Sequence, residues 1–318
     1  MWEETLKQIN HSVTPRRAAA LWGDVSSLQL ASDGINLVYR FECNKKGRYL
    51  RITHPRIRTR EALASALDFQ KHLYEFDVPI CQPLSSLQGN YIEEVKQEDK
   101  IFLAHVNEEV AGNHIHFNHE DISIYQTWGM ALAKLHRAAA HYQPATGCSF
   151  LNWLDLWKDL DKYVQAEDEA VRNEYHQISQ WFLGLPQNTD IFGLTHGDHR
   201  TGNVLYDGNH VFIIDFDEPV YHWFCADIAR PFLELDRRKF MEWQPKLGSF
   251  LNAYASIFHL DHQLIKSLPW FIRMKNLEMY LWTKHNWLNP VAPGGGSTAN
   301  WLNEMRQVID NPVYDWNW

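Results

Sequence analysis

Four polar residues between positions 198 and 217 could together bind a metal ion and a reacting group. Asp198 and Asn203 lie five positions apart in the segment HGDHRTGN, and the apolar run VFII is followed by Asp215 and then Asp217. Carboxylate and carboxamide oxygens are hard ligands, which suit Mg²⁺ better than zinc or copper. Because Mg²⁺ usually takes one or two carboxylates and the phosphates of a nucleotide, the spacing predicts a metal–nucleotide site.

A β-hairpin is predicted to bring these residues together. NVLY and HVFIIDF are strand-like runs joined by the turn DGN at 207–209, so the loop before the first strand should lie beside the end of the second. In the general scheme of kinases, one aspartate orients the attacking hydroxyl. An asparagine five positions on and a strand-end aspartate hold metal. Asp198, Asn203 and Asp215 have this spacing, with DFD in place of DFG.

The elements before this stretch predict a small sheet. Short β-type runs and turns over the first hundred residues predict about five strands, and the run TREALASALDFQKHLYEF predicts one helix with Thr59 as its N-cap. The strand-like runs lie around residues 25–31, 36–43, 48–53, 84–87, 91–95 and 101–106. A five-stranded sheet with one helix across it is the expected arrangement.

Helical patterns dominate after Gly112. ISIYQTWGMALAKLHRAAAH has apolar residues at helical spacing, with Asn118 as its candidate cap. The Gly-rich segment 291–300 is expected to connect two helices or to form a flap over a site. The fold class is therefore α+β with two lobes. We predict a small β-rich N-terminal lobe at 1–106, a hinge at 107–112 and a larger, mainly helical lobe at 113–318.

The composition and net charge narrow the classes of molecule that this protein is expected to bind. The chain has 318 residues, of which 45% are hydrophobic and 22% charged, as expected of a globular protein with one large core or two modest ones. Its formal charge of −9 disfavours nucleic acid as the main partner, because binding phosphates requires a concentrated basic face. The same charge suits a cationic small molecule, or it only keeps the protein in solution.

Nothing in the sequence predicts export or a membrane span. The N-terminus has scattered charges and no signal-like apolar run, and no segment has 18 uninterrupted apolar residues. The cysteines lie far apart with no CxxC pair, which fits a reducing compartment. We expect a cytoplasmic monomer or homodimer. His114, His116 and His119 alternate like a strand or loop, and without carboxylate or cysteine companions they only weakly suggest a zinc site.

The ordered motifs HGDHRTGNVLYDG, VFIIDFDEP and ADIA resemble the aminoglycoside phosphotransferase and choline kinase superfamily. Its pattern is HGDxxxxN, an apolar strand, and an aspartate before Phe or Trp. INLVYRF, YLRIT, FLAHVNEEVAG and WGMALAKLHRAA resemble further parts of the same fold, so the resemblance covers about residues 25–235. It implies a protein-kinase-like fold, ATP or GTP as the phosphoryl donor, Mg²⁺, and a small hydroxylated acceptor.

The resemblance also implies roles for individual residues. Asp198 would accept the hydrogen bond and finally the proton of the acceptor hydroxyl. Asn203 and Asp215 would bind Mg²⁺, Asp217 would help with a second ion, and His196 and Asp227 would support the loop. The nucleotide would be held by Arg51 at its phosphates, by the loop residues Asp33, Gly34 and Asn36, and by the hinge residues Asn107, Glu108 and Glu109.

One position departs from the family pattern. The helix glutamate that should pair with the phosphate-binding residue falls on Ala66, so Asp68 or Glu61 would have to replace it. The departure leaves a non-catalytic, nucleotide-binding pseudokinase-like module as an alternative. A compact bacterial Ser/Thr protein kinase is a further alternative. It is disfavoured because only nine residues separate Asp217 from Asp227 and no APE motif follows.

The acceptor itself stays open. The last eighty residues are rich in Trp, Tyr and Phe, and aromatic faces near carboxylates would suit an amine or a quaternary ammonium. Core packing explains the same aromatic residues without a ligand. Aminoglycoside-like antibiotics, choline or ethanolamine, homoserine and sugar alcohols all remain candidates.

Overall fold

The computed structural model describes residues 9–34, 36–116, 120–234, 240–259, 261–292 and 296–312. Its strands are β1 Ser27–Asp33, β2 Leu37–Cys43, β3 Lys46–Thr53, β4 Pro83–Leu84, β5 Glu93–Gln97, β6 Lys100–Glu108, β7 Asn113–His114, β8 Leu151–Asn152, β9 Phe192–Thr195, β10 Val204–Tyr206, β11 Val211–Ile213 and β12 Val220–Trp223.

The α-helices range in length from 4 to 19 residues. They are α1 Thr14–Ala19, α2 Arg60–Glu75, α3 Ile122–Ala139, α4 Trp153–Lys158, α5 Asp161–Val164, α6 Glu169–Leu183, α7 Cys225–Ala229, α8 Phe240–Ala255, α9 His262–Lys266, α10 Leu268–Asn286 and α11 Thr298–Asp310. Short 3₁₀ turns cover Ala20–Trp22, Thr201–Asn203 and Arg230–Glu234.

The chain forms two compact units, and each is built from several segments. The first unit comprises residues up to 115, 141–150 and 202–218, and the second comprises the remainder. The first is rich in strands and the second mainly helical, as the α+β prediction expected. The linear limits 1–106, 107–112 and 113–318 remain a prediction for the lobes. Sequence order does not reveal that 141–150 and 202–218 pack with the N-terminal residues.

The first unit contains a six-stranded antiparallel sheet. Its order is β1-β2-β3-β6-β4, and β5 also pairs with β6. All six strand-like runs contribute a strand, so the sheet has six strands where about five were expected, and the run at 84–87 forms only the two-residue β4. Apolar residues alternate inward along β2, where Phe41 is fully buried and belongs to one hydrophobic cluster with Leu50 of β3 and Phe102 of β6. The rigid centre of this sheet, β3 and β6, carries Arg51.

Helix α2 begins as predicted. The Thr59 hydroxyl accepts a hydrogen bond from the Ala62 backbone N–H at 3.2 Å, which satisfies one of the free donors of the first turn. Leu63, Leu67 and Leu73 form its buried face. The cap predicted for α3, Asn118, lies outside the described residues. The side chain of Asp121 caps that helix by accepting from the Ser123 N–H at 2.9 Å.

The hairpin β10–β11 belongs to the first unit because its edges pair there. β10 pairs with β7, and Ile213 forms a parallel bridge with Ile80. The Ile213 N–H also donates to the Pro79 carbonyl at 2.9 Å. These bonds fix the predicted hairpin to the segments just after α2 and β6.

The second unit combines the small sheet β8-β12-β9 with helices α3 to α11. Trp128, Trp153 and Trp223 are fully buried in it, so these tryptophans belong to the core. Residues 291–297 lie between α10 and α11, as expected of a connection, although residues 293–295 are outside the described part, and residues 298–300 already belong to α11.

Helices α3 and α8 approach closely at Gly129. A Cβ atom at this position would lie 2.2 Å from the Phe250 carbonyl oxygen, which belongs to the α8 backbone. Gly129→Ala is therefore expected to destabilise the protein by about 1–3 kcal/mol through overpacking. The measurement is the urea midpoint of unfolding.

Gly248, within α8, provides the matched control. A Cβ there would meet no atom within 4 Å, so Gly248→Ala is expected to be neutral or to add about 0.5–1 kcal/mol through helix propensity. Equal midpoints for Gly129→Ala and the wild type would contradict the close approach.

Candidate active site

Asp198 lies in the loop after β9, in the second unit, and two arginines engage its carboxylate. Oδ1 accepts from Arg230 Nε and Nη2, both at 3.0 Å, and Oδ2 accepts from Arg200 Nε at 3.1 Å. Burial alone would raise the pKa of Asp198, but Arg230, Lys275 and Arg200 outweigh it and lower that pKa. The group is thus held as an oriented, weakly basic carboxylate.

Asp227 holds the backbone of this loop. Its Oδ2 accepts from the His196 N–H at 2.7 Å, and its Oδ1 accepts from the Gly197 N–H at 3.1 Å. His136 Nε2 also donates to Oδ2 at 3.1 Å. Burial would raise the pKa of Asp227, but its hydrogen bond and charge interaction with His136 bring it well below the usual range. The supporting role expected for Asp227 agrees with these contacts.

The histidine next to Asp198 is a further support that the sequence did not reveal. The Trp128 indole N–H donates to His199 Nε2 at 3.0 Å. Nδ1 of the same ring must then carry the proton that it donates to the Asp227 carbonyl at 2.9 Å. Burial lowers the pKa of His199 to about 4, so the ring is neutral. No sequence signal indicated this role, because the partners of His199 lie 71 and 28 positions away along the chain.

Buried neutral histidines make stability depend on pH. Burial lowers the pKa of His199 to about 4 and of His105 and His222 to about 3, whereas an unfolded histidine titrates near 6.5. Below 6.5 the unfolded chain therefore binds protons that the folded chain does not. We expect the urea midpoint to be highest above pH 6.5 and to fall steadily as the pH drops towards 4.

His259, an exposed histidine, offers a control for this dependence. His199→Asn should flatten the fall in stability between pH 6.5 and 4, whereas His259→Gln should leave its slope unchanged. A wild-type midpoint that does not change between pH 7.5 and 5 would contradict the assigned protonation states.

The first unit carries the predicted metal ligands. Val204 pairs with Ile213, and the Ile214 N–H donates to the Asn203 carbonyl at 3.0 Å, so Asn203 and Asp215 lie at the same end of the hairpin. Asp215 has a positive φ of 70°, a conformation that aspartate tolerates better than most residues. Its carboxylate is about one-third exposed, at 34%. A carboxylate and a carboxamide at one hairpin end fit the hard-oxygen requirement of Mg²⁺.

Arg51 connects the two aspartates of DFD. Its Nη1 lies 2.8 Å from Asp215 Oδ1 and its Nη2 lies 2.8 Å from Asp217 Oδ2. Asn36 Nδ2 also donates to Asp217 Oδ2, at 2.5 Å. Burial would lower the pKa of Arg51, but Asp215 and Asp217 raise it above its ordinary value. Four predicted site residues, Arg51, Asn36, Asp215 and Asp217, thus meet in one cluster.

Neither substitute proposed for the missing helix glutamate reaches Arg51. Ala66 is buried on α2. Asp68 Oδ2 accepts from the Tyr142 hydroxyl at 2.6 Å and the Ala145 N–H at 3.2 Å, and Glu61 is exposed. The expectation for Asp68 or Glu61 was wrong because the Asp68 carboxylate is bonded to Tyr142 and Ala145, and Glu61 is exposed. Within the described residues, the ion-pair partners of Arg51 come from the DFD segment.

The nucleotide-binding residues predicted at the loop and hinge stay predictions. Asp33 ends β1 and Gly34 follows it, while Ile35 lies outside the described residues. In the hinge, the Glu108 N–H donates to the Gln82 carbonyl at 2.8 Å and the Glu109 N–H to the Gly47 carbonyl at 3.0 Å.

Hinge side chains also have partners within the first unit. Asn107 Oδ1 accepts from Gln70 Nε2 at 3.1 Å, and Glu109 forms two bonds with Arg40. These contacts hold Asn107 and Glu109, two residues of the predicted hinge, within the first unit.

Two weaker expectations can be addressed in the described part of the chain. The described part contains no group of three or more His, Cys, Asp or Glu side chains placed to hold a metal ion. His114 and His116 belong to that part and form no such group, whereas His119 lies outside the described residues. No helix among these residues is long and apolar enough to cross a membrane.

The profile of the phosphotransferase enzyme family (APH) matches residues 27–258, which is most of the chain. The chain belongs to this family. It is a small-molecule phosphotransferase with an alcohol group as the acceptor, as the resemblance implied. The match includes Arg51, Asp198, Asn203 and Asp215.

Amicoumacin kinase of Bacillus subtilis (strain 168) is 24% identical over 278 residues, covering 83% of this chain and 82% of the relative. Among solved structures, amicoumacin kinase hAmiN in complex with AMP-PNP, Ca²⁺ and Ami has a TM-score of 0.86 and 21% identity, covering 100% of this chain and 98% of the other. A microcompartment-associated aminopropanol kinase has a TM-score of 0.71 and 18% identity, with 93% and 94% covered. The protein-kinase-like fold class is thus confirmed.

Proposed function

We propose that the protein transfers the γ-phosphoryl group of ATP, in the presence of Mg²⁺, to a hydroxyl group of a small, amine-bearing molecule. The observation that carries this proposal is the state of Asp198. It is an ionised carboxylate held by Arg200 and Arg230 in a loop whose backbone is tied to Asp227. An alcohol that donates a hydrogen bond to this carboxylate would be oriented for attack.

Asp198 acts mainly by orientation. An alcohol is too weak an acid to lose its proton before the new bond to phosphorus forms, so the proton moves to Asp198 late in the reaction. The lowered pKa of Asp198 fits this role. The hydroxyl becomes acidic only in the transition state, so a stronger base would gain nothing before that point. The bond from the γ-phosphorus to the bridging oxygen of ATP breaks, and ADP leaves.

Asn203 and Asp215 are the residues that would hold Mg²⁺. When bound, the metal spreads the negative charge of the phosphoryl group in transfer. Arg51 would contact phosphate oxygens through guanidinium donors that its bonds to Asp215 and Asp217 leave available, Nε among them. The predicted help of Asp217 with a second ion is less well supported, because its Oδ2 is already bonded to Asn36 and Arg51.

The identity of the donor and acceptor rests on the relatives. The solved structure of hAmiN is a complex with AMP-PNP, Ca²⁺ and Ami, which favours ATP over GTP and a divalent ion. The name of the aminopropanol kinase favours an amino alcohol, and the charge of −9 suits a cationic acceptor. A cytoplasmic location, and a monomeric or homodimeric state, complete the proposal.

A panel of hydroxylated acceptors tests the proposal. ATP consumption is measured with amino alcohols, choline, homoserine, aminoglycosides and sugar alcohols, and each amine is matched with an uncharged analogue of the same size. We expect turnover with at least one amine, better use of ATP than GTP, and loss of turnover with EDTA. Turnover restricted to uncharged or anionic acceptors would refute the amine assignment, and no turnover on any acceptor would refute the proposed function.

A further inference from the structure

Four buried polar atoms of the first unit lack a hydrogen-bond partner in the described structure. They are Arg51 Nε, Thr53 Oγ1, Arg58 Nε and His105 Nδ1. Leaving a buried donor or acceptor unsatisfied is costly, and more so when the group is charged. A cluster of such atoms can be completed by bound water or by a ligand that has several acceptor atoms.

The four residues lie together around one face of the sheet. Arg51 and His105 are directly opposite each other on β3 and β6, and Thr53 shares the face of Arg51 because it is two residues further along the strand. Arg58 follows β3 in the connection to α2. Its Nη2 lies 3.9 Å from the same Asp217 Oδ2 that Arg51 contacts at 2.8 Å.

The chemistry of the cluster selects an anion with several oxygens. Two guanidinium groups provide donors in fixed, planar forks, which match phosphate oxygens. The side chains of Arg51 and Arg58 are mostly buried, at 13% and 16% exposure, so a bound phosphate group would interact with little screening by water. His105 is neutral, since burial and then the two arginines lower its pKa to about 3.

Asp217 occupies the position from which it can orient both arginines. Its Oδ2 is fixed by Asn36 at 2.5 Å and by Arg51 at 2.8 Å. Arg58 Nη2 also lies 3.8 Å from Glu218 Oε1. Since Ala66 offers no carboxylate, the DFD segment supplies the counter-charge that the helix lacks.

We propose that Arg58 is a second phosphate-binding residue for the nucleotide, and that Asp217, rather than a helix glutamate, positions Arg51 and Arg58 for it. The proposal rests on the proposed function, which supplies a nucleoside triphosphate as the ligand. It explains how a chain with alanine at position 66 retains a charged phosphate site. Its claims concern binding, so they can be tested without turnover.

The test compares Arg58→Gln with Arg60→Gln by isothermal titration of the full chain. Arg60 lies two residues away, is exposed and pairs with Glu94 at 3.4 Å, so it serves as the matched control. The ligands are ATP with Mg²⁺, inorganic tripolyphosphate and adenosine. Losing charge-assisted hydrogen bonds should weaken the binding of ATP and tripolyphosphate by Arg58→Gln about 10-fold to 100-fold. Adenosine should bind as it does to the wild type, and Arg60→Gln should bind all three ligands normally.

Arg58→Lys distinguishes the contribution of the paired guanidinium donors from that of the positive charge. We expect it to bind ATP with an affinity between those of Arg58→Gln and the wild type, because it retains the charge and loses the paired donors. Wild-type affinity of Arg58→Gln for ATP, or an equal loss for ATP and adenosine, would overturn the proposal, since both would leave Arg58 a purely structural role. Tight ATP binding by the wild type without transfer to any acceptor would refute the proposed function and leave this proposal standing.

Discussion

Asp198→Asn is expected to lower kcat by about 10²-fold to 10⁴-fold, the usual contribution of a positioned general base. Asparagine has the same shape but lacks the negative charge, so it accepts the hydroxyl's hydrogen bond weakly and cannot take the proton. The KM for ATP should change little, because the residues assigned to the nucleotide lie on other segments. Steady-state kinetics with the best acceptor of the panel measures both quantities.

The matched control for this substitution is Asp159→Asn in the same unit. The Asp159 side chain is 80% exposed and its ion pair with Lys162 spans 3.7 Å, so its loss should leave kcat within about twofold, as expected for a surface pair. If Asp198→Asn retains more than a tenth of the wild-type kcat, Asp198 does not have the role assigned to it.

Asp227→Asn is expected to cost about 3–5 kcal/mol in the free energy of unfolding, the range observed when one partner of a buried charged network is removed. The carboxylate accepts from two backbone N–H groups, of His196 and Gly197, and from His136. An amide would turn one of its acceptors into a donor that faces another donor. The loop that carries Asp198 would then lose its fixed geometry, so kcat should fall as well.

Two measurements distinguish this positioning role from general instability. Urea unfolding gives the free-energy change, and kinetics at a temperature where the variant is fully folded give kcat and KM for ATP separately. The exposed Asp190, in the turn before β9, provides the control Asp190→Asn, which should match the wild type in both. Unchanged stability of Asp227→Asn would show that its hydrogen bonds do not hold the loop.

The sequence predicted the β10–β11 hairpin and the position of Asn203 and Asp215 at the same end of it. Strand periodicity placed β2, β3 and β6, and the Thr59 cap marked the start of α2, because these signals are local. The motif HGDHRTGN similarly predicted that Asp198 and Asn203 lie in the segment just before β10. Local patterns of this kind depend on residues that are close in sequence, so they can be interpreted without knowing the contacts between distant segments.

Other features depend on contacts between distant segments and could not be predicted. Arg230 bonds to Asp198 across 32 positions, and Trp128 bonds to His199 across 71. Arg51 was expected to pair with an acidic residue of α2, yet its partners lie more than 160 positions away in the DFD segment. A missing glutamate is visible in the sequence, whereas its replacement is visible only in the fold.

Identification of the phosphorylated product tests the central claim most directly. The best acceptor is incubated with ATP and Mg²⁺, and mass spectrometry with ³¹P NMR locates the added group, using wild type and Asp198→Asn in parallel. We predict one phosphoryl group on a hydroxyl oxygen of the acceptor with the wild type, and at most about a hundredth of that initial rate with Asp198→Asn. Release of inorganic phosphate alone, or equal product from both proteins, would contradict the account.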